Sequence, residues 1–479
     1  MHRFSAWILM VSFGSFGLKA QNYTAKQYGI QTAIKNVVYG TATNYLGAVD
    51  TLKLDIYKPS GNKDKLRPLL ILNHGGAWIG GDKNDASIVQ LAYEFTARGY
   101  VVASVNYRLG THKANWAASP VPANVNVGFH VAYIADSAEV YRGLYRAVQD
   151  IKGAIRFMKG RHDLDSTCTN AVFIGGESAG GFNSLAVAYL NLDSEKPAAC
   201  GSINDVPTPQ SSLLECYPGN KVTSAQLKRP DSGGVEGSLN QNGYNSSVVG
   251  VINCFGGLFS EALSNQWISG NENIDVYQFH QSCDGIVPCQ TAICLSPLSI
   301  NCNLGYTPFH TRYPLIMGSC ALKNHFASGS GLVKNVKTEI FKCDDIVIPL
   351  TDCIRFAQNG SYHYLANPPQ RVDTISKFLS PKVIEARNAC LKAGVSSGLK
   401  FQSIQITPNP NHGSFKITGL QSSDFENIKI FDALGREVKF EVQGESEEFK
   451  LNDGCNTQFL YLIYKGTKGI ETHKILLLP

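Results

Sequence analysis

The chain has no internal repeat, no low-complexity run, no block of like charge and no apolar segment long enough to span a bilayer. Each absence removes a class. Without repeats a solenoid has nothing to stack. The longest apolar stretch, Ala6 to Phe16, falls short of the roughly 20 residues that a membrane helix needs. Charged residues make up only 17% of the chain, and 43 basic against 38 acidic residues give a formal charge of +5 without a basic run, which argues against a nucleic-acid partner. Paired C-x-x-C spacing is missing too, so the cluster Cys283, Cys289, Cys294 and Cys302 does not read as a zinc site, and no metal or cofactor is expected.

What is present describes an exported globular protein. In "MHRFSAWILMVSFGSFGLKA", Arg3 precedes the apolar run and a small residue, Ala20, closes it, the pattern of a secretory signal peptide. Its removal takes Arg3 and Lys19 away, leaving 41 basic against 38 acidic residues, or +3. In an oxidising compartment the thirteen cysteines read as disulfides. Twelve lie between Cys168 and Cys390 and suggest an evenly paired large domain, with Cys455 alone beyond it. A length of 479 residues also exceeds what one core usually organises.

The strand and helix patterns divide the chain. "VVYGTATNYLGAVDTLKLDIY" (37–57) alternates around turn residues and predicts antiparallel strands. "PLLILN" (68–73), "YVVASVNY" (100–107), "AVFIGG" (171–176) and "VVGVINCF" (248–255) are nearly continuous apolar runs, as for strands buried on both faces. Between them, "SIVQLAYEFTARG" and "EVYRGLYRAVQDIKGAIRFMKG" repeat apolar residues at helical spacing. The expectation is an α/β domain with a mostly parallel sheet flanked by helices. After the linker near residue 400 only short alternating strands follow, an all-β module. The expected boundaries are 1–20 for the leader, 21–398 for the α/β domain and 399–479 for the β module.

Within "VFIGGESAGG" (172–181), Ser178 sits between a buried strand and the helical pattern "FNSLAVAYLNL", with Gly176, Ala179, Gly180 and Gly181 all small. A nucleophilic serine needs such a turn to project its hydroxyl. The same G-x-S-x-G spacing recurs at Gly394, Ser396 and Gly398, but there it follows a helical stretch and runs into the linker. "LILNHGGAWIGGD" ends another strand in a turn without bulk, and Gly76 and Ala77, with Ala179, are the expected backbone donors to an oxyanion. His74 is expected to brace that turn. Trp78 either lines a substrate pocket or packs, and Glu177, beside the serine, is a candidate substrate contact. The aromatic-rich insertion at 110–137 and the Gly, Pro and Ser-rich stretch 200–245 are candidate substrate walls or surface loops.

Together "HGGAWIGGD", "SVNYRL" and "GGESAGG" resemble the carboxylesterase and lipase branch of the α/β-hydrolase superfamily, including secreted esterases of the feruloyl and acetyl-xylan kind, over roughly residues 30–385. The family's chain order is nucleophile, acid, histidine. "DVYQFHQSCDGIVP" is similar to its strand followed by H-G-T-x-D-x-x-V-P. That implies Asp284 as the acid, with Gln281 and Ser282 in place of Gly-Thr and Cys283 adjoining the carboxylate. Three histidines follow in the domain: His310, His325 on a predicted helix, and His363 beyond a glycine-containing loop. His363 holds the family's position and is the expected base, with His325 and His310 as alternatives.

"IQITPNPNHGSFKI", "IKIFDALGREV" and "GIETHKILLLP" resemble the sorting domain of the type IX secretion system of Bacteroidota through Pro408, Asn409, Pro410, Gly413, Asp432, Gly435, Arg436 and Val438. The resemblance implies passage through the periplasm to release or surface attachment, with the secretion machinery as a partner; a generic carbohydrate-binding sandwich is the alternative. For the whole chain the expectation is a secreted serine esterase acting on a small or polymer-linked ester. A serine peptidase of the same fold and a non-catalytic adhesion protein are the other readings.

Overall fold

The structure, a computed structural model, describes residues 23–112, 137–204, 228–259, 267–343 save four short stretches within 295–332, 362–398 and most of 405–477. The expected leader, most of the 110–137 insertion and His310 lie outside the described residues. By contacts the chain forms two compact units, residues 1–390 and 391–479.

The first unit is built on an eight-stranded sheet. Its strands are β1 (Ile34–Thr43), β2 (Val49–Tyr57), β3 (Arg67–Asn73), β4 (Val101–Val105), β5 (Thr167–Glu177), β6 (Gly250–Cys254), β7 (Asp275–Gln281) and β8 (Val336–Phe341). They lie in the order β1-β2-β4-β3-β5-β6-β7-β8, with β3 to β8 parallel and β2 antiparallel to both neighbours. This is the α/β-hydrolase fold. The reversal of β3 and β4 places β3 against β5, so two loops distant in sequence leave the same end of the sheet side by side.

Alternation along the strands feeds two cores. Leu69, Ile71, Val172 and Ile174 face one layer, closed by α2 (Ser137–Gly160), α3 (Ala179–Tyr189) and α4 (Ser319–Phe326). Leu70, Leu72 and Phe173 face the other, closed by α1 (Ala86–Thr96) and α5 (Pro368–Gly398). Because both faces are covered, consecutive residues such as Leu69 to Leu72 and Val172 to Ile174 are apolar and buried, and each such side chain contributes about 1.5–3 kcal/mol by leaving water. On α2, Val140, Leu144, Val148, Ile151, Ile155 and Met158 step at three and four and are all buried. Its polar face is buried as well: Lys152 and Arg156 both pair with Glu236, and Arg108 from the end of β4 pairs with Asp150.

Three disulfides join described residues: Cys168–Cys390, Cys283–Cys343 and Cys289–Cys320. Two members of the four-cysteine cluster are thus oxidised, to different partners. The expectation of even pairing fails at Cys200 and Cys254, which are buried thiols. Cys254 lies on a central strand with its side chain in a packed layer, and burial pushes the Cys200 thiol up to about 12 despite the neighbouring Arg142. Both act as small apolar core residues.

The second unit is a β-sandwich. One four-stranded sheet orders Gln405–Thr407, Ser414–Thr418, Glu448–Leu451 and Phe440–Gln443; the other orders Glu437–Val438, Ile428–Asp432, Phe459–Gly466 and Gly469–Leu476. Phe415, Ile417, Ile430, Phe449 and Leu462 fill the space between them. Asp432 accepts from the Arg436 backbone N–H at 2.9 Å and from its guanidinium at 2.7 Å.

Cys168–Cys390 links β5 to α5 across 222 residues. Replacing both cysteines by alanine should lower unfolding stability by about 2–5 kcal/mol, measured by urea denaturation of the purified protein under non-reducing conditions.

Candidate active site

Ser178 directly follows β5 and immediately precedes α3, with φ 53° and ψ −122°, a strained conformation for a residue bearing a Cβ. Its N–H donates to the Cys254 carbonyl at 2.9 Å, and its own carbonyl accepts from Gly181 and Phe182 as α3 begins. The flanking glycines are required by contact. A Cβ on Gly176 would lie 2.5 Å from the Asn73 carbonyl oxygen, one on Gly180 would lie 2.2 Å from the same atom, and one on Gly181 would meet the Asn253 side chain at 2.5 Å. Bulk at Gly176 or Gly180 would push β5 and α3 away from β3, and bulk at Gly181 would push α3 away from the end of β6.

The loop after β3 comes to the same place. A Cβ on Gly75 would stand 3.2 Å from the Ser178 Cβ. Gly76 at φ 103°, Ala77 at 51° and Trp78 at 62° form a left-handed run, closed where Ile79 and Gly80 donate to the Gly76 carbonyl. Among the described residues, none of the turn and loop hydrogen bonds uses the N–H of Gly76, Ala77 or Ala179. His74 braces the loop from within. Its ring is fully buried, stacks on Tyr107 at 4.4 Å and contacts the Gly75 carbonyl through Nδ1 at 2.7 Å, while the Tyr107 hydroxyl donates to the His74 carbonyl. Burial lowers the imidazole below its ordinary pKa against that hydrogen bond, so the brace is a neutral ring with its proton on Nδ1.

Asp284 follows β7 in a buried turn. Its Oδ1 accepts from the N–H groups of Ile286 and Val287 at 2.8 and 2.9 Å, and its Oδ2 meets His363 Nδ1 at 2.7 Å. His280, on β7, approaches the same Oδ2 to 3.3 Å, with Nε2 also 2.8 Å from the Val287 carbonyl and Nδ1 3.0 Å from Ser319 Oγ. Asn253 donates to Ser319 Oγ, so a buried polar chain runs from β6 through α4 and β7 to the acid. Burial alone would raise the Asp284 carboxyl; the charge of His363 and the hydrogen bonds of His280 and His363 outweigh it and hold the carboxyl below the usual range.

The His363 ring stands edge-on to Phe255 at 4.6 Å, and its Nε2 is buried without a hydrogen-bond partner among the described residues. Phe255 directly follows the carbonyl that holds Ser178. Glu177 lies beside this group with its carboxylate buried, accepting from Ser87 Oγ at 2.6 Å. Burial pushes the Glu177 carboxyl up, against the opposing pull of Ser87 and His363.

Of the expected residues, the structure brings Asp284 and His363 into contact and sets the Gly75–Ala77 loop against Ser178. His325 sits on α4, and its ring neighbours Phe326 rather than the acid. Trp78 makes the contacts of a packed side chain: it is 4% exposed, donates to Asn183 Oδ1 at 2.8 Å and meets Phe182 edge-on. Two contributors, His280 and Gln281, carry no assigned role in the sequence reading, although Gln281 is marked there as a departure from the pattern. His280 holds the first position of the H-x-x-x-D pattern, a signal that was present. Gln281 donates its side-chain amide to the Tyr364 carbonyl, a tie across 83 residues with no local signature.

Residues 54–143 match the BD-FAE family model. The matched stretch contains the His74 loop and ends before Ser178. Solved structures with a similar fold include a truncated carbohydrate esterase from gut microbiota, at 15% identity over 75% of this chain and 98% of that one, with a TM-score of 0.40. Another is esterase 2 of Thermogutta terrifontis phosphorylated by paraoxon, at 16% identity over 72% of this chain and 92% of that one, TM-score 0.37. The propionate-bound form of the same esterase gives 15%, 74%, 94% and 0.35. At these identities the similarity says nothing of substrate or chemistry. A search of curated proteins finds no match.

The depressed Asp284 carboxyl has a consequence for stability. A folded pKa below the unfolded one means that the charged group stabilises the fold above about pH 4, and that this contribution disappears as pH falls through the unfolded and then the folded value. Urea unfolding in steps below pH 5 should show wild type losing stability more steeply than Asp284→Asn. Equal slopes would show that the carboxyl is not depressed.

Proposed function

We propose that the protein is a secreted serine carboxylic-ester hydrolase acting through Ser178, His363 and Asp284. The observation that carries this reading is the 2.7 Å contact between His363 Nδ1 and Asp284, with His363 Nε2 left unpartnered among the described residues. The strained turn at Ser178 and the bulk-free loop beside it support the reading further.

In this mechanism Ser178 Oγ attacks the ester carbonyl carbon while His363 Nε2 takes its proton. Asp284 keeps the imidazole proton on Nδ1 and stabilises the imidazolium. The tetrahedral oxyanion is held by the N–H groups of Gly76, Ala77 and Ala179, each worth about 100- to 1000-fold in rate. Collapse breaks the bond to the leaving oxygen, which receives the proton from His363 and departs as the alcohol. Water, deprotonated by the same nitrogen, then releases the acid and restores Ser178. The substrate is an ester of a small or polymer-linked alcohol, a class suited to an exported enzyme.

Hydrolysis of p-nitrophenyl acetate, propionate and butyrate tests the assignment. Ser178→Ala and His363→Ala should each lower kcat by about 10,000-fold or more. Undiminished turnover in either variant would remove that residue from the mechanism.

The leader and the C-terminal module extend the proposal to export. The leader directs the chain to the periplasm, the β-sandwich addresses it to the type IX machinery, and the sandwich is cut off at the surface. Intact-mass analysis of the exported protein should find a chain that begins near Gln21 and lacks the module from about residue 399 onward. A full-length product retained in the periplasm would contradict it.

A further inference from the structure

At the acid-bearing turn the sequence departs from the H-G-T-x-D pattern at Gln281 and Ser282 and places Cys283 next to the acid. All three residues make ties in the structure. The parallel ladder between β7 and β8 ends at the pair Gln281 and Phe341. Beyond it the Ser282 N–H donates to the Phe341 carbonyl at 2.9 Å, Ser282 Oγ accepts from the Cys343 N–H at 3.2 Å, and Cys283 forms its disulfide with Cys343. β8 is an edge strand, half-buried along most of its length, so these ties fix its end where burial is weak.

Gln281 itself reaches the other way. Its side chain is fully buried, and its amide N–H donates to the carbonyl of Tyr364, the residue after His363. Its Oε1 is buried with no hydrogen-bond partner among the described residues. A buried unpaired acceptor is destabilising, and the glycine of the family pattern would carry none. The side chain therefore does not account for itself as a contributor to stability, whereas its one bond falls on the backbone that carries the histidine.

We propose that Gln281 is a positioning residue for the reaction, gripping the backbone beside His363 so that the imidazole stays on Asp284, with the Cys283–Cys343 disulfide fastening the turn from which it reaches. The inference rests on the hydrolase reading. Three contacts then define the ring: Asp284 at Nδ1, Phe255 at 4.6 Å, and Gln281 through the adjoining peptide. Without the last, the chain at Tyr362 to Tyr364 loses its side-chain anchor to β7. The ring drifts from the geometry that proton transfer requires, and displacements near 1 Å are enough to slow such steps on the order of 100-fold.

The test uses the full-length chain and p-nitrophenyl butyrate. Gln281→Met keeps the approximate volume, removes the donor and also removes the unpaired acceptor. The expected result is a fall in kcat of about ten- to a hundredfold, with KM within about twofold, Tm not lowered, and loss or broadening of the downfield proton resonance of the His363–Asp284 pair. Gln281→Glu, which turns an acceptor toward the Tyr364 carbonyl, should lose at least as much and serves as the second variant if the first does not fold. Wild-type kcat in a folded variant overturns the proposal. So does a kcat loss that tracks a lowered Tm while the downfield resonance remains, since that is the signature of a merely structural role. Failure of the hydrolase reading is read separately, as activity in the otherwise wild-type chain that survives Ser178→Ala.

Discussion

Two chain turns share one small volume at the end of the central sheet, and the site depends on that overlap. The carbonyl of Asn73 lies where side chains on Gly176 and Gly180 would stand. Only with those positions empty can the β5–α3 turn close on the end of β3 and set the loop from His74 to Ala77 against Ser178. The cost is conformational: Ser178, Ala77 and Trp78 all hold positive φ, each at an expense of order 1–3 kcal/mol. Packing on both faces of the sheet offsets it, which is why the strained turns sit at the ends of the most deeply buried strands.

The second half of the site follows another rule, the need to keep a buried charge solvated. Asp284 is 3% exposed, and two backbone N–H groups, His280 and His363 surround it. Removing any of these partners would leave a desolvated carboxylate short of hydrogen bonds, so the turn, the β7 histidine and the distant His363 are mutually required. The network extends through Ser319 to Asn253, whose Oδ1 also receives the Gly256 N–H and lies against Gly181. Asp284 and Ser178 are thereby referred to one group of atoms on β6.

Sequence reading reached the parts of this arrangement that have local periodicity or local sterics. Strands buried on both faces announce themselves as unbroken apolar runs, and β3, β4, β5 and β6 lie where those runs are. The glycines around Ser178 were legible because a turn without bulk is a property of five adjacent residues. Pairings across the chain were not legible in the same way. The partners of Cys283 and Cys289, the isolation of Cys200 and Cys254, and the grip of Gln281 on Tyr364 depend on which strands become neighbours, and nothing at either end of such a contact marks the other. His363 was reached only by its place in an order of motifs, and its meeting with Asp284 spans 79 residues.

The residues that departed from the family pattern carry the most structural information. A Gly-Thr pair next to the acid would leave the turn to be held by its own backbone. Gln281, Ser282 and Cys283 instead move that work into side chains, which reach β8 on one side and the histidine segment on the other. Side-chain ties at the two ends of a chain excursion fix where it leaves and where it returns, whatever its length. Here Cys343 and His363 stand twenty positions apart in sequence, and the ties from the end of β7 and the turn after it fall at the first of them and one residue past the second. A turn that reads as a degraded motif thus holds the two ends of a long excursion, with His363 kept on Asp284 at the far one.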